Sequence, residues 1–185
     1  MAPNLRVRSA QAFSLSQNGA FHPMIRALLA AAAVAALSAS AQAQNASQIA
    51  RVESGASCPG CDLLQIDLSF RTLTNRDFSG ARLMQASFTA GIYDRVRFSN
   101  ANLRFLEGSA SRFSRADFSG ADLREASLVG SYFGGARFAR ANLAGANLSG
   151  SDFSSATGMT QTQLDAACGD AETRLPGGLS VPSCR

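Results

Sequence analysis

From Leu63 to Phe153 every fifth residue is a core-type residue: Leu63, Leu68, Leu73, Phe78, Leu83, Phe88, Tyr93, Phe98, Leu103, Gly108, Phe113, Phe118, Leu123, Leu128, Phe133, Phe138, Leu143, Leu148 and Phe153. Seventeen of the nineteen are Leu or Phe, and no insertion breaks the count. A period of five suits neither a helix at 3.6 residues nor a strand at 2, so it predicts a solenoid whose units bury their apolar faces only by stacking. Two residues before most centres the side chain is small, as in Ala81, Ala86, Ala101, Ala116, Ala121 and Ala146, with Ser111, Ser131 and Ser151 in the same place. The residue just before the centre is usually polar, as in Asp77, Asn102, Asp117, Asn142 and Asp152.

A second period lies over the first. Taking every fourth unit gives Leu63, Leu83, Leu103, Leu123 and Leu143 on one side, Phe78, Phe98, Phe118 and Phe138 on another, and the mostly aromatic run Leu73, Tyr93, Phe113, Phe133 and Phe153 on a third. Such sorting predicts four sides per coil, with like stacked on like about 4.8 Å apart. Gly108 leaves a hole on the fourth side, and Leu106, standing where Ala is usual, is expected to refill it.

The units ADFSG, ADLRE, ANLAG and ANLSG resemble those of the pentapeptide-repeat family. That resemblance implies an all-β solenoid, a right-handed quadrilateral parallel β-helix over residues 63–155. Residues 156–185 are expected to form a C-terminal cap with a short helix over 160–168, N-capped by Thr160, reinforced by Gln163 and ended by Gly169. Gln44 to Ser57 reads as an unpatterned polar leader, and 44–62 as the N-terminal cap. Arg71 and Arg76 fall at inward-small positions, either turned outward or paired with Asp67 or Asp77.

Residues 24–43 read as a secretory signal: Met24 and Arg26, an apolar run from Ala27 to Leu37, then Ala41-Gln42-Ala43 as a small-x-small cleavage site. The run is too short for a bilayer needing about 20 residues, so no membrane span is expected after cleavage. Residues 1–23 are expected to be a mis-assigned start or a disordered extension. All seventeen basic residues are Arg, and the one histidine, His22, precedes the cleavage site. A chain without His or Lys lacks the usual general base, Schiff-base amine and imidazole ligand, so no catalytic residue, metal site or cofactor is expected.

Four cysteines in an exported chain imply disulfides. Nearly five coils at about 4.8 Å each place the two ends of the tube on the order of 20 Å apart. A bridge needs Cα atoms within about 7 Å, which favours Cys58–Cys61 and Cys168–Cys184 unless the tail folds back along the tube. Cys58-Pro59-Gly60-Cys61 is also a C-x-x-C motif, so a thiol–disulfide redox protein is one alternative function. A DNA-mimicking, topoisomerase-binding role, implied by the resemblance, is disfavoured. The repeats carry eleven Arg against eight acids, the wrong sign, and a signal peptide precedes them.

The remaining reading is a non-catalytic structural or protein-interaction module of the bacterial envelope, periplasmic or secreted. Its partner is an unspecified protein rather than nucleic acid, and end-to-end or side-to-side self-association stays open. The candidate surface is Asp77, Arg97, Asp117 and Arg137, expected as an alternating-charge ladder, with Arg112 and Tyr132 nearby. Met84, Ile92 and Phe105 are further outward apolar residues.

Overall fold

The structure is a computed structural model and describes residues 46–184. The expected signal segment at 24–43 and the extension at 1–23 lie outside the described residues.

Parallel bridges join each residue before a centre to the one twenty positions on, from Asp62↔Arg82 through to Arg137↔Thr157, without a slip. One coil is therefore twenty residues on four sides. Backbone N–H groups climb the same ladder, as from Leu63 to the Arg82 carbonyl and from Phe118 to the Arg137 carbonyl, both at 2.8 Å. Five residues per side leave room for one bridge before the chain turns. Each turn puts its corner residue, two after the centre, in the left-handed region: every fifth residue from 60 to 150 has φ between 53° and 73°. Glycine takes this conformation freely, which accounts for the Gly at 60, 80, 120, 130, 135, 145 and 150. Residues with a Cβ take it at a cost of about 1–2 kcal/mol each, offset at corners such as Gln65, Arg95 and Phe105 by the bond their N–H makes to the next coil.

The interior is two aromatic columns beside two aliphatic ones. Phe98, Phe118 and Phe138 stack with centroids 5.1 Å apart and planes within 14°. Phe78 joins below at 5.8 Å. The neighbouring column runs Tyr93, Phe113, Phe133 and Phe153 at 4.4–5.2 Å. Between columns the rings meet edge to face, as in Phe118–Phe133 at 6.0 Å and 64°. Each such pair contributes about 0.5–1.5 kcal/mol beyond its buried area.

Three local exceptions are filled by neighbours. A Cβ on Gly108 would lie 3.1 Å from Leu128 Cδ2 and 3.4 Å from Leu106 Cδ2, so Leu106 does close the gap left there. Gly91 makes room for Tyr93, whose buried hydroxyl donates to the Leu68 carbonyl at 2.7 Å; a Cβ at 91 would sit 2.1 Å from that oxygen. On the same side Ser111, Ser131 and Ser151 form an internal chain. Each hydroxyl accepts the backbone N–H of the coil below, from Gly91, Ser111 and Ser131, and donates to the carbonyl of Phe88, Gly108 or Leu128. Where alanine stands instead, as at Ala116, the N–H turns back to the centre three residues earlier. Serine is thus more than a small filler.

Both ends differ from the sequence expectation. The β-helix begins before Leu63. Cys58 is a fifth member of the phenylalanine column, wholly buried, with its N–H on the Asp77 carbonyl, while Cys61 takes the small inward position and Gly60 the corner. Cys58 keeps the five-residue beat, but as neither Leu nor Phe it does not carry the pattern's residue type. Nor is the leader unpatterned: residues 46–53 are helical (α1), with Val52 buried and Ile49 packed on the core over the open end. Two apolar residues three apart are too short a pattern to read as amphipathic.

At the other end the helix is Gln161–Asp165 (α2), shorter than the expected 160–168. Thr160 caps it, and Gln163 closes the capping box. The C-cap is Ala166, because Cys168 is drawn back onto the ladder by its N–H to the Ala146 carbonyl. Gly169 therefore does not end the helix. It lets the tail pack closely, since a Cβ there would meet Thr173 and Val181 at 2.7 Å. The tail resumes the coil at Cys168 above Asn147 and Arg174 above Asp152. Buried Leu164 and the Gln163 amide, which donates to the Phe138 and Ala141 carbonyls, seal the opening between.

Arg71 is exposed and Arg76 half-buried beside Gly55; neither closes an ion pair with Asp67 or Asp77 among the described residues.

Truncating Phe118 to Ala removes the middle ring of a column. Urea unfolding should show a loss of about 3–5 kcal/mol, while Phe70→Ala, at an 80% exposed corner, should stay within about 0.5 kcal/mol of the parent. Gly91→Ala should cost about 1–3 kcal/mol by overpacking against Tyr93, and adding Tyr93→Leu should recover part of it.

Candidate interaction faces

With the interior occupied by its own side chains, chemistry is left to the outward positions. On the phenylalanine side the rungs read Asp77, Arg97, Asp117 and Arg137, each bridged to the next. The expected charge ladder closes only at its first step, where Arg97 Nη2 donates to Asp77 Oδ2. Asp117 turns to serines instead, accepting Ser119 Oγ at 2.5 Å and Ser99 Oγ at 3.0 Å, and Arg137 is left exposed. Register puts the charges one above another, but local hydrogen bonds decide which pairs close. A recurrent one is the carboxylate accepting the N–H two residues on, as Asp77 does from Ser79 and Asp152 from Ser154, both at 2.9 Å.

The adjacent side carries Ile92, Arg112, Tyr132 and Asp152. Arg112 Nε donates to both Asp94 oxygens at 3.1 and 3.0 Å, and Nη2 to Oδ2 at 2.6 Å. Above it Tyr132 is 45% exposed, and Phe105 at another corner is 41% exposed. Met84 and Ile92 are half-buried. The six candidate surface residues thus fall on two neighbouring sides: Asp77, Arg97, Asp117 and Arg137 on one, Arg112 and Tyr132 on the other. Sequence reasoning passed over Phe70, the most exposed large apolar residue described, because its corner place was not recognised as outward.

Both cysteine pairs sit at the ends. Cys58–Cys61 and Cys168–Cys184 have Cα separations of 5.5 and 4.8 Å. The first is buried in the coil, Cys58 at 0% and Cys61 at 8% exposure; the second is half-buried.

The family model described as pentapeptide repeats matches residues 94–128 and 116–155. A crystal structure of a pentapeptide repeat protein from the Arabidopsis thaliana thylakoid lumen is 30% identical, with a TM-score of 0.54 over 56% of this chain and 72% of that one. The chain belongs to the pentapeptide-repeat family. A member from the cyanobacterium Cyanothece 51142 is 22% identical, with a TM-score of 0.40 over 70% of this chain and 98% of that one. No curated protein matches the chain. The four-sided coil is accordingly the quadrilateral β-helix of pentapeptide-repeat proteins.

The carboxylates on these faces are tuned toward the charged form. Asp77 is held below the usual carboxylate range first by the Ser79 hydroxyl, and Asp122 first by the Arg124 guanidinium. For Asp117 and Asp94 burial opposes the charge, but Ser119 with Ser99, and Arg112 with Ser114, outweigh it. Near pH 4 the unfolded chain therefore binds more protons than the folded one. This stabilisation is complete above about pH 5 and is lost as pH falls through the lowered folded values. Urea midpoints should be flat from pH 7 to 5 and drop below pH 4, less steeply for Asp117→Asn.

Proposed function

We propose that this pentapeptide-repeat protein is a non-catalytic exported module that works by presenting its rigid outer faces to an envelope partner. The supporting observation is that from Phe78 to Phe153 every centre and small inward position is filled by Leu, Phe, Tyr, Ala, Val or Ser, or closed over a glycine by its neighbours. Recognition is therefore left to the outside. Disulfides at both ends favour an oxidising compartment, and the lumenal source of the Arabidopsis relative is in keeping with that reading. Balanced Arg and Asp on the faces do not make the acidic rod that DNA mimicry requires.

The redox alternative is not favoured by any specific observation. A thiolate must reach a disulfide sulfur to exchange with it, and Cys58–Cys61 lies inside the coil, feeding a β-bridge rather than a helix N-terminus.

Expression of the full chain in a Gram-negative host, followed by fractionation and N-terminal sequencing, tests export. The expected product is extracytoplasmic and begins at Gln44; an intact cytoplasmic chain would overturn the reading. Alkylation and mass spectrometry under graded reductant separate module from enzyme. Cys168 and Cys184 should label first and Cys58 and Cys61 only on unfolding. Labelling of the CPGC pair first, and reversibly, would favour the enzyme.

A further inference from the structure

One corner of the coil differs from the other three. Its column reads Asn75, Arg95, Arg115, Gly135 and Ser155, and it borders an open groove of about 620 Å³. Arg95 and Arg115 stand on successive coils, about 4.8 Å apart at the backbone, and both are exposed. Neither guanidinium closes an ion pair among the described residues, and the nearby Asp94 is already held by Arg112 and Ser114. Of the four corner columns this alone stacks two like charges. Their mutual repulsion is relieved by one anion placed between them.

The groove floor supplies the second half of a site. Consecutive glycines at 134 and 135 flatten it, and the ring of Tyr132 is laid over Gly134, where a Cβ would come within 2.2 Å of its hydroxyl. Tyr132 is 45% exposed, and its hydroxyl makes no protein hydrogen bond among the described residues. An aromatic face with a free polar tip, Asn75 and Ser155 at the rim, and two unpaired cations together suit a ligand with a flat apolar face, several hydroxyls and a carboxylate.

We propose that this corner groove binds an acidic saccharide, a uronic-acid unit with its carboxylate between Arg95 and Arg115 and its ring on Tyr132. An acidic peptide suits it less. The coil's N–H and C=O groups along this side are already spent on the ladder, so an extended chain finds no edge to pair with. A single-stranded nucleic acid suits it less too, because stacking of successive bases needs more than one exposed ring along its path. The inference deepens the binding-module reading and rests on it for its biological sense.

The test is calorimetric titration of the purified, oxidised full chain with tetragalacturonate, its carboxyl-reduced neutral counterpart, tetraglutamate and oligo-dT. Tetragalacturonate should bind at least tenfold more tightly than any of the other three. Arg95→Gln with Arg115→Gln should weaken it tenfold or more, as should Tyr132→Ala, while Arg140→Gln on another corner leaves it unchanged. All variants should keep the parent urea midpoint, since these side chains are exposed. Failure of tetragalacturonate to bind, equal binding of the neutral sugar, the peptide or the oligonucleotide, or indifference to the Arg95 and Arg115 changes would overturn the proposal. Export and cleavage at Gln44 are read separately, so a negative titration leaves the module reading standing.

Discussion

The structure depends on one constraint, the hydrogen-bonded register that sets each residue above the one twenty positions earlier. A ladder of single bridges is weak rung by rung, and a slip by one residue would turn every centre outward and every corner into a wall. Register is held because like fits like. A phenylalanine ring stacked flat on the ring below and edge-on to the next column has no equivalent place one residue away. The backbone bonds fix the spacing and the rings fix the phase. Each is useful only with the other, which is why a chain with so little conventional strand forms a well-defined solid.

The same register governs the electrostatics. Because rungs repeat at strand spacing, charged outward residues are set in register with the residues twenty positions away, as Asp77 with Arg97 and Asp117 with Arg137. The protein does not treat all these meetings alike. Asp77 closes with Arg97 and Asp94 with Arg112, yet Asp117, equally placed beneath Arg137, takes two serines. An exposed ion pair contributes at most about 1 kcal/mol and orders two long side chains, whereas a serine two residues along is already in place and costs little entropy. Ser79 takes only one oxygen of Asp77 and leaves the other to Arg97, whereas Ser119 and Ser99 take both oxygens of Asp117 and leave Arg137 without a carboxylate partner among the described residues. Arg95 and Arg115 carry this further, since no acid is within their column.

What was legible in the sequence was whatever depends on periodicity. The five-residue beat gave the centres, the twenty-residue beat gave the columns, and the oversized Leu106 beside Gly108 signalled a repaired hole. What escaped had either too few residues to form a pattern or a meaning set by geometry. Cys58 and Cys61 obey the beat but not the residue code, so they read as a motif before the coil rather than as its first members. Ile49 and Val52 are two residues of an amphipathic helix whose other faces are polar. Ser131 looks like a stand-in for alanine until the coil below places the Ser111 N–H against its hydroxyl. The charge ladder was visible as an order of residues, but which rungs close depends on rotamers and on the serines beside them. The groove on the corner was hidden for the same reason: only the laid-over Tyr132 ring shows that Gly134 and Gly135 make a floor.

The ends complete the account, because a solenoid is stabilised by nearest neighbours and a terminal coil has one neighbour too few. The two ends meet that deficit by different means. At the start the disulfide is inside: Cys58 occupies the column and Cys61 the adjacent small position, so the cross-link itself is core, and α1 lays Val52 over it. At the finish the tail leaves the ladder, makes the short α2 lid, and returns to it at Cys168 and Arg174, bridging to residues 21 and 22 positions back instead of twenty. A strand that departs and returns lacks the continuity that fixes the others. Its return is held from outside by Cys184, whose own N–H bonds the Gly169 carbonyl, and by Asp170, which accepts the Gly150 N–H. The cross-link at the start thus replaces missing core, whereas the one at the finish replaces missing chain continuity. That difference in role is why one is buried and the other stays half open to solvent.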